Sequence, residues 1–354
     1  MKIVFDNIIY ALQESGGISV VWSNLICRCL KKKLDIVFLD YEHDNISRSH
    51  INLPKENIIK KRLSIPLLQR FIRPSNKEID IDEPFIFHSS YYRTSNHPNA
   101  VNITTVHDFV YSFYCKNPFS RYIHCRQQHA AIRKSDLVIC ISEHTRRDLL
   151  KLLPDVNPRK LKVIYNGVDN RFWHITNCIY KNYFLFVGNR AGYKNFSAII
   201  EPIAKCNFEL KIVGPDLTKN EIKAMNYHRL RYTFHGRVTD EELNQLYNEA
   251  FCFIYPSLYE GFGLPVLEAQ MAGCPVIALN TSSLPEVIGN KNMLLNDISF
   301  DTLQEKIQLL KEPKTRKQII EDGLKNAARF SWDKMTEEYI ASYYAAKKRA
   351  KLTK

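Results

Sequence analysis

The chain has 354 residues, of which 45% are hydrophobic and 25% charged, and its formal net charge is +13. This length and balance fit two globular domains of ordinary size and exclude a low-complexity chain. The apolar runs fall short of the ~20 residues of a membrane-spanning helix, and Met1–Phe5 reads as a strand rather than a signal peptide, so we expect a cytoplasmic protein. The charge favours an anionic partner: a membrane surface, nucleic acid or phosphorylated substrates.

The nine cysteines mostly lie inside apolar runs, and none forms a C-x-x-C pair or a cluster with histidine at zinc spacing. We therefore predict reduced core thiols and no metal site.

Short apolar runs alternate with helical patterns along the chain, which predicts βαβ units and parallel sheets covered on both faces. The predicted strands of the first half are Lys2–Phe5, Asp35–Leu39, Phe85–His88, Val101–Val106, Leu137–Ile141 and Lys162–Tyr165. Those of the second half are Tyr183–Val187, Glu209–Val213, Arg231–Phe234, Phe251–Ile254, Val276–Leu279 and Met293–Leu295. Two similar series indicate two Rossmann-like domains.

The series change over near Asn166–Asp169, where Gly and Asp close the last strand of the first half. We expect a first domain over residues 1–168, a second over 169–330, and a terminal helix over 331–354 with Ser331 as its N-cap. The stretch 45–82 is polar and punctuated by proline, so we interpret it as an acceptor-side insertion without regular structure.

Two segments of the first half place flexible or polar residues after predicted strands. Gly16 and Gly17 follow the first strand and open a helical pattern, where backbone amides can bind an anion. His107 and Asp108 follow the strand Val101–Val106, at the carboxyl end where α/β sheets place ligand-binding groups. A glycine pair is more often only a turn, and such a histidine is more often structural, so neither segment decides by itself.

The second half has a strand that runs into a loop with two cations. Arg190 and Lys194 follow the strand Tyr183–Val187 and precede a helix. Because Arg offers phosphate oxygens a planar fork and Lys offers a point charge, the pair suits a diphosphate. The alternative interpretation is an exposed basic loop.

A further loop sets two carboxylates eight residues apart. Glu260 precedes a glycine-rich turn, and Glu268 belongs to the opening of the helix in which Pro265 takes the first position. Gly261 and Gly263 allow close approach of a ligand, and the free N–H groups of the helix start favour phosphate oxygens. The alternative is that Glu268 merely complements the helix dipole and Glu260 is a solvated turn residue.

The segment Glu260–Glu268 resembles the E-x(7)-E signature of retaining, nucleotide-sugar-dependent glycosyltransferases of the family-4 type, the group-1 glycosyltransferases. The glycine loop, the Val106-His107-Asp108 motif and the Arg190/Lys194 loop resemble other motifs of that family. The likeness covers most of the chain and thins between residues 40 and 85. It implies the GT-B architecture, in which two Rossmann-like domains face each other across a cleft and the C-terminal helix packs back on the first.

The resemblance implies roles for the residues of these motifs. His107 would lie beside the transferred sugar, Arg190 and Lys194 would stabilise the departing diphosphate where other enzymes use Mg²⁺, and Glu260 would hold sugar hydroxyls. These four are the expected catalytic residues, while Glu268 would hold the ribose. The expected nucleotide-sugar contacts are Gly16, Gly17, Arg190, Lys194, Gly236, Arg237, Val238, Gly261, Phe262, Gly263, Leu264 and Glu268. The expected acceptor-side residues are Asp108, Tyr91 and Arg93.

The implied activity is retaining transfer of a hexose to a glycan or lipid-linked acceptor in bacterial lipopolysaccharide, O-antigen or capsule synthesis. The pattern around Tyr193–Phe196 and His88–Tyr91 resembles mannosyltransferases, which favours GDP-mannose and leaves UDP-sugars open. Apart from the nucleotide sugar no cofactor or metal is expected, and the basic charge suggests peripheral contact with the inner face of an anionic membrane. The alternatives are a sugar-nucleotide epimerase or a phosphorylase on the same fold, or a basic nucleic-acid-binding protein. The last is disfavoured because the charge is scattered and matches no nucleic-acid-binding module.

Overall fold

The structure, a computed structural model, describes residues 1–61, 72, 79 and 81–352. The chain divides into two compact units: Met1–Gly167 together with the last helix from Trp332, and Val168–Ser331. Every strand pair in both sheets is parallel. The predicted fold class of two Rossmann-like α/β domains is therefore confirmed.

Unit 1 contains a seven-stranded sheet with helices between its strands. Its strands are β1 Ile3–Asp6, β2 Ile36–Tyr41, β3 Ile58–Lys61, β4 Phe85–Ser89, β5 Ala100–Val106, β6 Leu137–Cys140 and β7 Leu161–Val163. Among the described residues, its helices before the boundary are α1 Ile9–Leu12, α2 Gly17–Lys31, α3 Ile46–Ser49, α4 Val110–Tyr114, α5 Pro118–Lys134 and α6 Glu143–Leu152. The strand order β3-β2-β1-β4-β5-β6-β7 reverses direction between β1 and β4. Such a switch point opens a crevice at the carboxyl ends of the strands.

Unit 2 contains a six-stranded sheet built on the same plan. Its strands are β8 Tyr183–Val187, β9 Glu209–Val213, β10 Arg231–Gly236, β11 Cys252–Tyr255, β12 Val276–Leu279 and β13 Leu294–Leu295. Its helices are α7 Ser197–Lys205, α8 Lys219–Tyr227, α9 Asp240–Glu249, α10 Leu264–Met271, α11 Leu284–Ile288, α12 Phe300–Lys311 and α13 Pro313–Ala327. The order β10-β9-β8-β11-β12-β13 places the switch point between β8 and β11.

The central strands are apolar because both faces of each sheet are covered. Every residue of β1, β4 and β6 is buried, as are all residues of β11 and β12. Strands buried on both faces read as continuous apolar runs. The structure contains all twelve predicted strands, and each observed strand end differs from the predicted end by at most two residues.

The stretch 45–82 corrects the prediction of an insertion without regular structure. It contains helix α3 and strand β3, and β3 pairs in parallel with β2 at the edge of the sheet. An edge strand of two isoleucines followed by two lysines carries no long apolar run, so periodicity alone could not find it. Residues 62–71, 73–78 and 80 of this stretch lie outside the described part of the chain.

The last helix, Trp332–Leu352, packs on unit 1, which confirms its predicted place. Ion pairs join it to α2: Arg28 Nε lies 2.9 Å from Asp333 Oδ1, and Lys32 Nζ lies 3.1 Å from Glu337 Oε1. The acidic partner of each pair is largely exposed, so each pair contributes little stability and chiefly sets the register of the two helices.

His88 forms the polar centre of this packing. Its Nδ1 lies 2.7 Å from the Tyr343 hydroxyl and its Nε2 lies 3.0 Å from Thr105 Oγ1. The Tyr339 hydroxyl is 3.1 Å from the same Thr105 oxygen. Burial lowers the pKa of His88 to about 3, so the ring is neutral and donates through one nitrogen only. His88, the last residue of the predicted strand Phe85–His88, is thus a core residue that binds the last helix.

Glycines end three neighbouring strands of unit 2. Gly188, Gly214 and Gly236 follow or close β8, β9 and β10 with positive φ angles of 121°, 146° and 66°. The Gly188 amide donates to the Val213 carbonyl and the Gly214 amide donates to the Gly236 carbonyl, each at 2.9 Å. A Cβ on Gly214 would stand 2.3 Å from the Gly188 oxygen. The backbones at this sheet edge can approach so closely only because side chains are absent.

Replacing Gly214 by alanine should lower the free energy of unfolding by about 3 kcal/mol, because the new methyl group meets a backbone oxygen at a φ that L-residues avoid. Chemical denaturation followed by circular dichroism measures the loss. Gly192→Ala is the matched control, since a Cβ there meets nothing within 4 Å. Equal stability of the Gly214→Ala variant and the parent chain would contradict this account.

Candidate active site

The switch point of the unit 2 sheet brings two predicted site residues into contact. Lys194 follows β8 and Glu260 follows β11, and these strands are neighbours. The Lys194 Nζ lies 2.7 Å from Glu260 Oε1, and the two side chains are only 15% and 12% exposed. Because open α/β sheets bind ligands at this crevice, the pair marks the centre of a candidate site.

The Glu260 loop is held in place by the segment after β12. The Glu260 amide donates to Ser282 Oγ at 2.9 Å, and the Ser283 hydroxyl bonds the carbonyls of Glu260 and Phe262 at 2.9 Å each. The Lys194 ammonium also lies 3.2 Å from the Tyr255 hydroxyl. Two serines therefore hold the backbone of the Glu260 loop, and Lys194 holds the carboxylate. None of these three residues belongs to the segment Glu260–Glu268. Ser282 and Ser283 escaped the sequence analysis because nothing in their own segment marks them.

The glycine-rich turn leads into α10 as predicted, although Pro265 takes the second helical position and not the predicted first. Gly263 has a φ of 110° and stands immediately before Leu264, the first residue of the helix, and Pro265 follows within the first turn. The buried Phe262 ring packs against the Phe330 ring with the two ring centroids 5.6 Å apart, and this contact fixes the turn. The N-cap residue Gly263 has no side chain that could cap this helix start. Its first amides are thus suited to phosphate oxygens.

Glu268 lies further along helix α10 than the sequence suggested. We expected it at the opening of the helix, but α10 begins at Leu264 and has no acidic residue in its first turn. This position argues against the interpretation that Glu268 serves only the helix dipole, because the dipole effect fades beyond the first turn.

Burial raises the pKa of Glu268 to about 7. Arg171 opposes this rise, while Asp240 and Asp169 add to it, and the Tyr247 side chain lies against the carboxyl. Arg171 itself binds both aspartates, with its Nε 3.1 Å from Asp169 and its Nη1 in contact with Asp240. Arg171 lies just past the predicted domain boundary, where the sequence analysis selected no residue. A carboxyl group with a shifted pKa beside a fixed guanidinium is typical of functional sites.

Arg190 is fixed differently from Lys194, although only four residues separate them. Its Nε binds Glu221 at 2.8 Å, and its Nη2 donates to the carbonyls of Pro215 and Asp216 at 2.6 and 2.7 Å. The side chain is 4% exposed, and its buried Nη1 has no hydrogen-bond partner among the described residues. A buried guanidinium nitrogen without an acceptor is costly, so this atom is suited to an anionic ligand. The structure does not place the Arg190 guanidinium in the Lys194–Glu260 pair.

Three of the expected nucleotide-sugar contacts, Gly236, Arg237 and Val238, lie at the end of β10. Gly236 closes the strand, the Arg237 side chain is exposed and Val238 is partly exposed. Gly188 and Gly214, which the sequence analysis did not select, end the two adjacent strands and widen this open backbone edge.

Unit 1 holds the remaining predicted residues. Helix α2 begins at Gly17, and its N-cap residue Gly16 has no side chain that could cap the first amides. Gly16 has an extended backbone, and its carbonyl accepts a 2.9 Å hydrogen bond from the Ser19 hydroxyl. A Cβ on Gly16 would stand 2.9 Å from the Gln13 side chain, so the turn packs closely.

His107 and Asp108 stand at the carboxyl end of β5, as predicted. Burial lowers the pKa of His107 to about 4, so the imidazole is neutral at physiological pH. It can therefore donate or accept a hydrogen bond but carries no charge. The Asp108 carboxylate accepts a 2.9 Å hydrogen bond from the Val110 amide. The backbone carbonyl of Asp108 accepts a 2.8 Å hydrogen bond from Gln128 Nε2.

The two other acceptor-side candidates make internal contacts. Tyr91 lies with its hydroxyl 3.1 Å from His124 Nδ1. Arg93 is buried; its Nη1 is 2.9 Å from the Tyr41 hydroxyl and 3.4 Å from Asp6 Oδ1. Arg93 thus stabilises the switch point of the unit 1 sheet, since Asp6 ends β1.

Comparison with protein families identifies the chain. The model of the group 1 glycosyl transferases matches residues 179–326 and that of glycosyltransferase family 4 matches residues 15–172. The chain belongs to this glycosyltransferase family. The two Rossmann-like units are those of the GT-B fold.

Relatives of this glycosyltransferase include mannosyltransferases. The O-antigen chain mannosyltransferase B of Escherichia coli is 42% identical over 109 residues, which are 30% of this chain and 29% of that protein. The MMP alpha-(1->4)-mannosyltransferase of Mycolicibacterium hassiacum is 27% identical over 233 residues, 62% of this chain and 56% of that protein. The chain thus spans less than two thirds of the length of either relative.

Among solved structures, HepE of Anabaena in complex with UDP superposes with a TM-score of 0.74. The superposition covers 98% of this chain and all of that chain at 16% identity, so it supports the fold alone. Among the described residues of this glycosyltransferase, no helix is long and apolar enough to cross a membrane. The same part of the chain has no group of three or more His, Cys, Asp or Glu that could hold a metal ion.

The stability of the glycosyltransferase should fall with rising pH because of Glu268. Its folded pKa of about 7 exceeds the ordinary value of 4.5. Between these pH values the folded state binds more protons than the unfolded state, so the free energy of unfolding decreases as pH rises and levels off above pH 7. Glu268→Gln lacks this loss and should exceed the parent in stability by up to about 3 kcal/mol above pH 7, with no advantage near pH 4.5.

Urea denaturation of both proteins across this pH range tests the expectation. Glu241→Gln, an exposed position on α9, is the control and should show no comparable trend. A stability difference that stays constant with pH would argue against a raised pKa at Glu268.

Removing one partner of the Lys194–Glu260 pair should lower the free energy of unfolding more than removing both partners. Lys194→Met leaves a nearly buried carboxylate without its cation and should lower the free energy of unfolding by about 3 kcal/mol. The double variant Lys194→Met/Glu260→Gln leaves no uncompensated charge and should recover about 2 kcal/mol. A double-mutant cycle by chemical denaturation measures the coupling, and additive losses would show that the two groups do not stabilise each other.

Proposed function

We propose that this glycosyltransferase transfers mannose from GDP-mannose, with retention of configuration, to a glycan or lipid-linked acceptor in bacterial surface polysaccharide synthesis. The observation that supports it most is the Lys194–Glu260 contact at the switch point of the unit 2 sheet. It combines a cation for phosphate with a carboxylate for sugar hydroxyls in one crevice. The relatives named as mannosyltransferases, one of them for the O-antigen chain, support the sugar and the acceptor class.

In the proposed mechanism, Lys194 stabilises the diphosphate as the bond from the sugar to phosphate breaks. The buried Nη1 of Arg190 offers a second donor, and its guanidinium is already held by three hydrogen bonds. Preorganised donors of this kind stabilise developing negative charge without reorganisation. On this proposal the two cations take the place of a metal ion.

Glu260 has the opposite task. When phosphate oxygens approach Lys194, the ammonium has a new partner, and the carboxylate can turn its lone pairs toward hydroxyls of the transferred sugar. The serine hydrogen bonds to its backbone hold the loop during this exchange. Glu268 holds the ribose, and its raised pKa allows the carboxyl to donate as well as accept.

Retention follows from the chemistry we propose. The leaving phosphate accepts the proton of the acceptor hydroxyl on the side from which it departs, so no protein nucleophile is needed. The alpha linkage in the name of one relative is the product expected with retention from a donor whose mannose is alpha-linked to phosphate. The neutral His107 would contact the sugar as a hydrogen-bonding group. We further propose a cytoplasmic location with the acceptor at the membrane surface.

A UDP-sugar is the second candidate donor, because a protein of the same fold was solved with UDP. The discriminating experiment is a thermal unfolding screen against GDP, GDP-mannose, UDP, UDP-glucose and an RNA control, with EDTA present throughout. A ligand that binds only the folded state at a hundred times its Kd adds about 2.7 kcal/mol of stability. We expect the GDP compounds to raise the Tm and UDP to have little effect.

Glu260→Ala is the control in this screen. It should keep the shift with GDP, whose diphosphate contacts Lys194 and Arg190, but lose sugar transfer measured as release of GDP in the presence of acceptor extract. NMR of the product would report its anomeric configuration. A Tm shift with UDP alone would indicate a UDP-sugar as the donor in place of GDP-mannose. Stabilisation by RNA with no effect of any nucleotide would reject the proposal.

A further inference from the structure

A surface of unit 1 that no part of the catalytic account uses carries exposed aromatic and basic side chains. We define the α4–α5 surface as residues 111–126, from helix α4 to the third turn of α5. Phe119 and Tyr122 are 72% and 62% exposed, and Tyr111, Phe113 and Tyr114 are exposed as well. Single exposed apolar residues are ordinary, but a contiguous group of this kind marks an interaction site.

The charge of this surface has one sign. The sequence between Asp108 and Asp136 contains no Asp or Glu, whereas Lys116, Arg121 and Arg126 fall within the surface itself. All three are exposed, and within the described residues none of them pairs with a carboxylate. The partner should therefore be anionic and should accept aromatic rings.

Helix α5 is anchored so that Phe119, Tyr122 and Arg126 face outward. On its inner face, the buried Gln128 donates to the Tyr92 hydroxyl at 2.9 Å, and the buried His124 stacks on Tyr111 with ring centroids 3.8 Å apart. Phe119, Tyr122 and Arg126 stand on the opposite side at helical spacing of three and four residues. The helix start is fixed by Asn117, which accepts the Ser120 amide at 2.9 Å.

Shallow hollows lie on both sides of Tyr122. One, of about 470 Å³, includes Arg121 in its lining, and the other, of about 450 Å³, includes Arg126 and Lys134. Neither lining contains a carboxylate among the described residues. Basic hollows beside a projecting ring suit phosphate headgroups, with the ring at the level of the lipid carbonyls.

We propose that the α4–α5 surface docks the enzyme on the headgroup layer of a membrane that contains anionic lipids. Charge complementarity and the projecting aromatic rings support a membrane over a single-stranded nucleic acid, which such rings would hold in a groove rather than on a convex helix face. The inference rests on the proposed function in one respect, namely that the acceptor can be lipid-linked.

The same helix touches the acceptor-side candidates from within. His124 contacts the Tyr91 hydroxyl, and Gln128 binds the carbonyl of Asp108. A membrane held on the outer face of α5 would therefore lie within one helix thickness of these residues. This is the arrangement that an acceptor anchored in lipid requires.

The test is cosedimentation of the full chain with vesicles of phosphatidylcholine alone and vesicles that also contain phosphatidylglycerol. We expect binding to the anionic vesicles only. Because a basic residue at such a surface changes the partition coefficient by about fivefold, Arg121→Gln/Arg126→Gln should lower it by about 25-fold. Phe119→Ser/Tyr122→Ser should reduce binding at least as much, since it removes both projecting rings.

Two controls match these variants in exposure but lie on α8. Lys219→Gln/Lys223→Gln removes two exposed charges, and Tyr227→Ser removes a ring that is 81% exposed. Both should bind vesicles as the parent does, and all variants should keep the parent's unfolding midpoint. No vesicle binding, equal losses in the controls, or binding of RNA in place of vesicles would overturn the inference. The assay contains no donor or acceptor, so its result is independent of whether the chain transfers mannose.

Discussion

The contact between Lys194 and Glu260 is the interaction on which the candidate site depends. Two opposite charges that are mostly removed from water attract each other strongly, but each has also lost its hydration, so the pair is stable only while both partners are present. It connects the loops after β8 and β11, the two strands between which the sheet reverses its order. Any ligand that separates the two charges must supply a substitute for each.

The surroundings of this pair combine rigid support with groups that are costly to bury. Ser282 and Ser283 hold the Glu260 loop from the neighbouring strand, and Glu221 holds Arg190. Yet one buried nitrogen of Arg190 has no hydrogen-bond partner in the described part of the chain, and Glu268 has a strongly raised pKa. Proteins retain such costs mainly where function requires them. The carboxyl edge of the unit 2 sheet therefore has the energetic character of a binding site.

The meeting of Lys194 and Glu260 was predictable, because residues that follow neighbouring parallel strands share one edge of the sheet. The contacts of Arg190 were not, since its partners Pro215, Asp216 and Glu221 lie after another strand and belong to no motif. Arg93 also looked like a ligand-facing cation, whereas its contacts are with Asp6 and Tyr41. Local patterns identify strand ends, but tertiary packing decides which charges are paired internally.

The last helix belongs to unit 1, although it follows unit 2 along the chain. Its Tyr343 bonds His88 and its Tyr339 bonds Thr105, two buried residues near the middle of the first sheet. During synthesis on the ribosome, His88 and Thr105 must wait for partners that emerge only after the whole of unit 2. Unit 2 is one uninterrupted segment, so its whole chain has been synthesised before the last helix of unit 1. The half of the protein that is translated first is therefore the half that reaches its final packing last.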